Sequence, residues 1–297
     1  MSRTPWTLAL YPRAYRRAHG DEIAAHYAES TAGASRTERR REAADVAGHA
    51  LRVRLRLTSG DPLGRALAVA APYAVTGAAA YALVVFAQMV MRVVWFRNPM
   101  FLPDGLSLGL ITAADLILIG AGAAVLGGRW RAARRLTLLG TAAIAVQQAA
   151  TGVYVLDGPS RLLSLALSLV LVLGCPPDIP PVGRPIRRAA GVFAAVTSLL
   201  LLVPVLGGGF VLFVSVIASV VPVLALSVVL AVAGPRSAAP GAYAAGIGLA
   251  VLPWLTYVVQ MLRWEPEITG VLVALPAAGA AVAWARVRLA RPAGAGG

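Results

Sequence analysis

The first residue in this chain that could do chemistry is an aspartate in the middle of an apolar run. Asp115 lies within the stretch 106–126, which holds no other charged residue. Burying an ionisable side chain at the centre of a bilayer costs roughly 2.5–3.5 kcal/mol or more, so such a residue is a functional candidate by default. One reading has Asp115 lining a cavity and binding a proton, a cation or an amine-bearing substrate. The other has it protonated, or hydrogen-bonded to Gln or Ser on a neighbouring helix, as a packing contact contributing about 0.6–2 kcal/mol. With no second ionisable residue deep in an apolar run, the packing reading is favoured. The polar side chains that could accompany Asp115 are Gln88, Gln147, Gln148 and Gln260, with Tyr154 and Tyr257 beside them in sequence-defined apolar stretches.

Other chemistries fall away by counting. All three histidines, His19, His26 and His49, lie in the first 62 residues, so no apolar stretch contains an imidazole base or ligand. The spacing of His19, Glu22 and His26 could align them on one helical face. Gly20 and an expected N-cap at Asp21 interrupt that helix, and a closed zinc site needs four ligands, so a solvated helix surface is expected instead. The single cysteine, Cys175, allows no intramolecular disulfide and no Cys-based metal cluster, and reads as an apolar filler. All 27 basic residues are Arg, which removes lysine chemistry and, with abundant Ala and Gly, suggests a GC-rich bacterial genome. There is no aspartate pair within the apolar stretches and no Walker A pattern. No catalytic residue, cofactor or metal is therefore assigned, and an enzyme is not expected.

The elements that must position Asp115 follow from composition. Of 297 residues, 58% are apolar and 13% charged, with a mean hydropathy of +0.73. A soluble domain carries about 25% charged residues, so a soluble enzyme is not expected and an all-α, polytopic membrane bundle is. Apolar stretches near the 20 residues that cross a bilayer occur at about 66–91, 106–126, 136–156, 160–177, 189–206, 210–234, 243–262 and 268–285. The fourth has a short core, Leu162 to Cys175, and needs Arg161 to snorkel at one end. Gly207-Gly208-Gly209 makes the fifth and sixth an antiparallel hairpin. With both termini inside, the inner segments hold 23 of the 27 Arg, and the outer ones only Arg92, Arg97, Arg161 and Arg263. That is the positive-inside pattern of an eight-span protein of the bacterial cytoplasmic membrane, followed by a short basic tail from residue 287.

Gly120-Ala121-Gly122 and Gly246-Ile247-Gly248 are expected close-packing sites, and Gly105 to Gly109 matches a small-xxx-small spacing. Pro72, Pro222, Pro253 and Pro276 interrupt apolar stretches, as in transporters that expose backbone at a binding site, although membrane helices that move nothing also tolerate proline.

Residues 1–62 form a separate polar region, whose early apolar run Trp6 to Leu10 is too short for a signal-peptide core or a span. Thr4-Pro5 and Asp21 predict helix starts, and Ser35-Arg36-Thr37-Glu38 has capping-box spacing for a longer helix toward Leu57. A small three-helix unit with a thin core is expected. Two basic patches, Arg39, Arg40 and Arg41, then Arg52, Arg54 and Arg56, precede the first span. There each Arg gains roughly 1 kcal/mol beside anionic lipid, so the inner leaflet is the expected partner, a cytoplasmic protein the next, and nucleic acid is not expected.

The stretch Leu10-Tyr11-Pro12-Arg13-Ala14-Tyr15-Arg16-Arg17-Ala18-His19-Gly20-Asp21-Glu22 resembles the opening of a group of actinobacterial integral membrane proteins with an N-terminal permease prefix domain. The resemblance covers the first 45–60 residues. It implies a cytoplasmic module on a membrane protein, with some relatives permease-like and others accessory or signalling proteins encoded beside transcription regulators. It carries over no catalytic residue. The expected function is a non-enzymatic accessory or regulatory membrane protein whose module docks a partner. The alternative is a transporter or permease subunit, one that could work with an ATPase subunit, with Asp115 as its polar site.

Overall fold

A computed structural model describes residues 6–91, 93–94, 105–151, 158–176, 183–206 and 240–262. Among these the protein is all-helical: a 3-10 turn at Trp6–Leu10, then α1 (Arg13–Ser30), α2 (Arg36–Arg54), α3 (Pro62–Met91), α4 (Gly105–Leu126), α5 (Trp130–Thr151), α6 (Gly158–Gly174), α7 (Arg184–Leu206) and α8 (Pro240–Leu262). The apolar stretches at 210–234 and 268–285, and Thr4-Pro5, lie outside the described residues.

The module is built on one buried aromatic. Tyr11, with Leu8 and Ala50, forms its small core, and Ile23, Val46 and Val53 pack around it. Helix α2 begins at the capping box: the Glu38 amide donates to Ser35 Oγ at 3.3 Å, and the Ser35 amide donates to the Glu38 carboxylate at 2.8 Å. These bonds satisfy two amides that a helix start would otherwise leave open, and they hold the Glu38 carboxyl below its usual range. At its far end α2 closes with bonds from the Leu57 amide to Arg52 O and from the Arg56 amide to Val53 O. That closure puts Arg56 at φ 55°, a conformation glycine would adopt without strain.

Helix α1 corrects the expected interruption at Gly20 and Asp21. It runs unbroken through both residues to Ser30. A glycine inside a helix costs only about 1 kcal/mol, which Tyr15 and Ile23, packed one turn to either side against the Tyr11 core, offset. Both α1 and α2 lean on the first turn more than on each other, so a cleft remains between them.

In the bundle α3 is the hub, packing against α4, α6, α7 and α8, while α4 pairs with α5, and α6 with α8. Its small residues explain this role, because backbones can approach closely only where side chains are short. A Cβ at Gly77 would stand 2.9 Å from Trp254 Cζ2 and 3.1 Å from Phe193 Cε1. Of the glycine pairs read from the sequence, Gly122 faces Ala79 and Gly246 faces Val69, each at about the distance where a Cβ would collide, whereas Gly120 and Gly248 have room. Among the described residues nothing lies within 4 Å of a Cβ built at Gly105 or Gly109. Pro72 sits inside α3 and Pro253 inside α8. Each proline carbonyl accepts a hydroxyl a turn later, from Thr76 at 2.9 Å and from Thr256 at 2.8 Å. Cys175 is buried among Ala71, Val75, Ala133 and Val172.

Among the described residues two helices, α3 and α4, are long and apolar enough to cross a bilayer. Helices α5 and α7 begin inside the Arg clusters rather than after them, at Trp130 and Arg184.

Candidate functional site

Asp115 is not alone. It is fully buried at the middle of α4, and the Arg161 guanidinium of α6 donates from Nη2 to its Oδ1. Arg161 is itself 4% exposed, so it does not snorkel out of the bundle as its position at the start of a short apolar run suggested. Its Cζ lies 5.8 Å from the Tyr81 ring centroid, within cation–π range. The Tyr81 ring in turn meets Trp254 edge-on at 6.4 Å. The ion pair therefore joins α4 to α6 and rests on an aromatic pair from α3 and α8.

Helix length explains why the guanidinium sits so deep. At 1.5 Å per residue, the 17 residues of α6 span about 25 Å, short of the roughly 30 Å of a bilayer core. Arg161 is in the first turn, and it reaches α3 at Tyr81, with ten more residues of α3, about 15 Å, running on to Met91. The charge at the start of α6 therefore lies midway along α4, at Asp115, and about two-thirds of the way along α3, at Tyr81.

The remaining polar residues are distributed rather than gathered. Gln88 is buried two turns beyond Tyr81 on the same face of α3. Its Oε1, like Asp115 Oδ2, has no hydrogen-bond partner among the described residues. Gln147 is buried and Gln148 half-buried on α5. Gln260 is on α8, and its side chain, like those of Tyr154 and Tyr257, is outside the described residues. The basic residues separate into two settings: Arg39, Arg40 and Arg41 are exposed along the first turns of α2, whereas Arg52 is half-buried beside Tyr11 and only Arg54 and Arg56 are exposed after it.

A second constellation lies in the module. Because α1 is continuous, His19, Glu22 and His26 do share a face. With Asp45 and His49 of α2 and the two tyrosines they line a cleft of about 500 Å³ floored by Ile23 and Val46. Tyr11 and Tyr15 stack at 5.4 Å with an interplanar angle of 10°, and His19 lies 4.8 Å from Tyr15. The Tyr11 hydroxyl is 2.8 Å from His49 Nδ1 and 3.4 Å from the Val46 carbonyl. Burial pushes that hydroxyl above the usual tyrosine range, with Tyr15 adding to the shift and Arg52 opposing it. Among the described residues no three His, Cys, Asp or Glu side chains converge into a metal-binding group.

Sequence reasoning missed Arg161, Tyr81 and the cleft. The signal for Arg161 was electrostatic: one unpaired acid inside and one Arg at the head of the shortest apolar run. For the cleft it was the i, i+3, i+7 spacing, set aside because of Gly20. The chain matches no protein-family model, no curated protein and no solved structure.

Proposed function

We propose that this chain is a multi-pass protein of the bacterial cytoplasmic membrane, with about eight spans and both termini inside, whose N-terminal module docks a cytoplasmic protein. On this reading it is an accessory or regulatory component rather than an enzyme. The membrane setting is supported by the apolar exterior of the bundle, where Leu116, Val146, Val170 and Leu199 face outward, a surface that soluble monomers avoid. The Arg clusters opening α5 and α7 support the orientation: cations at a helix N-terminus oppose its dipole, a cost that anionic inner-leaflet lipid offsets. The resemblance of Leu10 to Glu22 to the permease prefix module points the same way.

The observation that carries the docking role is the contrast between the two polar sites. The Asp115 charge is taken up by the buried Arg161 of the bundle, whereas the α1–α2 cleft is open and lined by groups able to bind. Crosslinking in cells, with and without residues 1–60, tests this. The expected result is a cytoplasmic protein lost from the crosslinked set on deletion. An unchanged set would sink the docking role.

A transport reading draws on one specific observation, the two buried acceptors, Asp115 Oδ2 and Gln88 Oε1, without hydrogen-bond partners among the described residues. It predicts that reconstituted vesicles take up protons under an imposed potential and that Asp115→Asn abolishes the uptake. Equal uptake by protein and empty vesicles would refute it.

A further inference from the structure

We infer that the α1–α2 cleft is a docking site for an arginine side chain carried by a peptide segment of the partner. The inference rests on the docking role proposed above and names the chemistry that the partner must present.

Charge is the first argument. The first 62 residues contain eleven Arg and seven acids, yet the lining of the cleft includes two of the acids, Glu22 and Asp45, and none of the Arg. A negative recess on a strongly basic module selects a cation. The two carboxylates stand on opposite walls, one on α1 and one on α2, and both side chains are exposed at the rim, ready to accept hydrogen bonds.

Shape is the second. Between the carboxylates the walls are rings: the Tyr11–Tyr15 stack, His19 beside it, and His49 at 6.2 Å from Tyr15. Below them the floor is the apolar Ile23 and Val46. A guanidinium is planar, weakly hydrated, stacks on aromatic rings and forks onto a carboxylate. Its trimethylene stem fits an apolar floor. A compact, strongly hydrated ammonium shares the charge and an apolar stem but has neither the planar fork nor a flat face to stack on the rings. The cleft of about 500 Å³ also has room beyond one side chain, which suits a residue presented by a peptide rather than a free amino acid.

The test uses the full-length protein in neutral detergent and a fluorophore-labelled tri-arginine peptide, with tri-lysine as its counterpart, read by anisotropy. At pH 7.5 the arginine peptide should bind about tenfold or more tightly than the lysine peptide. Glu22→Gln/Asp45→Asn should remove that preference; both positions are exposed, so the variant keeps the fold. Equal binding of the two peptides, or full binding by the double carboxylate variant, would overturn the proposal. So would displacement of the peptide by an equal concentration of arginine amide, which would make the ligand a small molecule. Failure here is separable from failure of docking: a cytoplasmic protein lost on deletion of residues 1–60 but retained by Glu22→Gln/Asp45→Asn leaves docking standing and removes the arginine.

Discussion

In the α1–α2 module, charged side chains stand on the surface around a core of three buried residues, whereas in the α3–α8 bundle two full charges lie inside and the surface is apolar. The same residue types therefore have different consequences. An Arg on α2, such as Arg40, is solvated, and losing it would cost little. Arg161 is desolvated, and its whole worth depends on Asp115. A buried pair is close to neutral against a well-packed apolar pair, but leaving either partner without the other is expensive. The module keeps its polar groups available for binding, and the bundle uses its own to fix which helices are neighbours.

The sharpest way to break this contrast is to remove one charge from the bundle. Arg161→Met should cost about 3–5 kcal/mol in unfolding assays in detergent, because Asp115 is left buried without its counter-charge. Asp115→Leu/Arg161→Met should recover most of that loss. A silent single variant would mean that the two charges are not buried together. Arg40→Gln is the surface comparison and should change stability within about 0.5 kcal/mol.

A smaller effect is expected from packing. Gly77→Ala places a Cβ against Trp254 and Phe193 and should destabilise the bundle by about 1–3 kcal/mol. Gly109→Ala, where a Cβ meets open space, should be neutral or stabilising by up to about 1 kcal/mol from helix propensity. Equal melting temperatures for the two variants would contradict the close approach of α8 and α7 to α3.

The smallest effect belongs to the module. Ser35→Ala should destabilise α2 by about 1 kcal/mol, read as faster amide exchange in its first turns. Because Glu38 is held below the ordinary carboxylate range, its support for α2 is complete above that range and fades as pH falls through the lowered value. Acid should therefore fray α2 from its N-terminus.

Local signals read well from the sequence and long-range ones did not. The capping box at Ser35 is a contact between residues three apart, and the helix bounds of α3 and α4 follow from runs of apolar residues, so each was legible. Asp115 stood out because it broke such a run. Its partner is 46 residues away, and nothing local to Arg161 distinguishes a guanidinium reaching water from one reaching a carboxylate. Gly20 misled for the opposite reason: a local propensity of about 1 kcal/mol was outweighed by the packing of Tyr15 and Ile23 on the Tyr11 core. Gly105 and Gly109 had the spacing of a close contact, but among the described residues nothing lies within 4 Å of a Cβ built at either.

The 46 residues between the two charges also have a meaning in time. At a synthesis rate of about 5–20 residues per second, Asp115 leaves the ribosome roughly 2–9 s before Arg161. Through that interval α4 holds a carboxylate with no counter-charge, and α6, too short to span on its own, has not been made. Asp115 is thus in place before α6 exists, and α6 meets a counter-charge as soon as it is made.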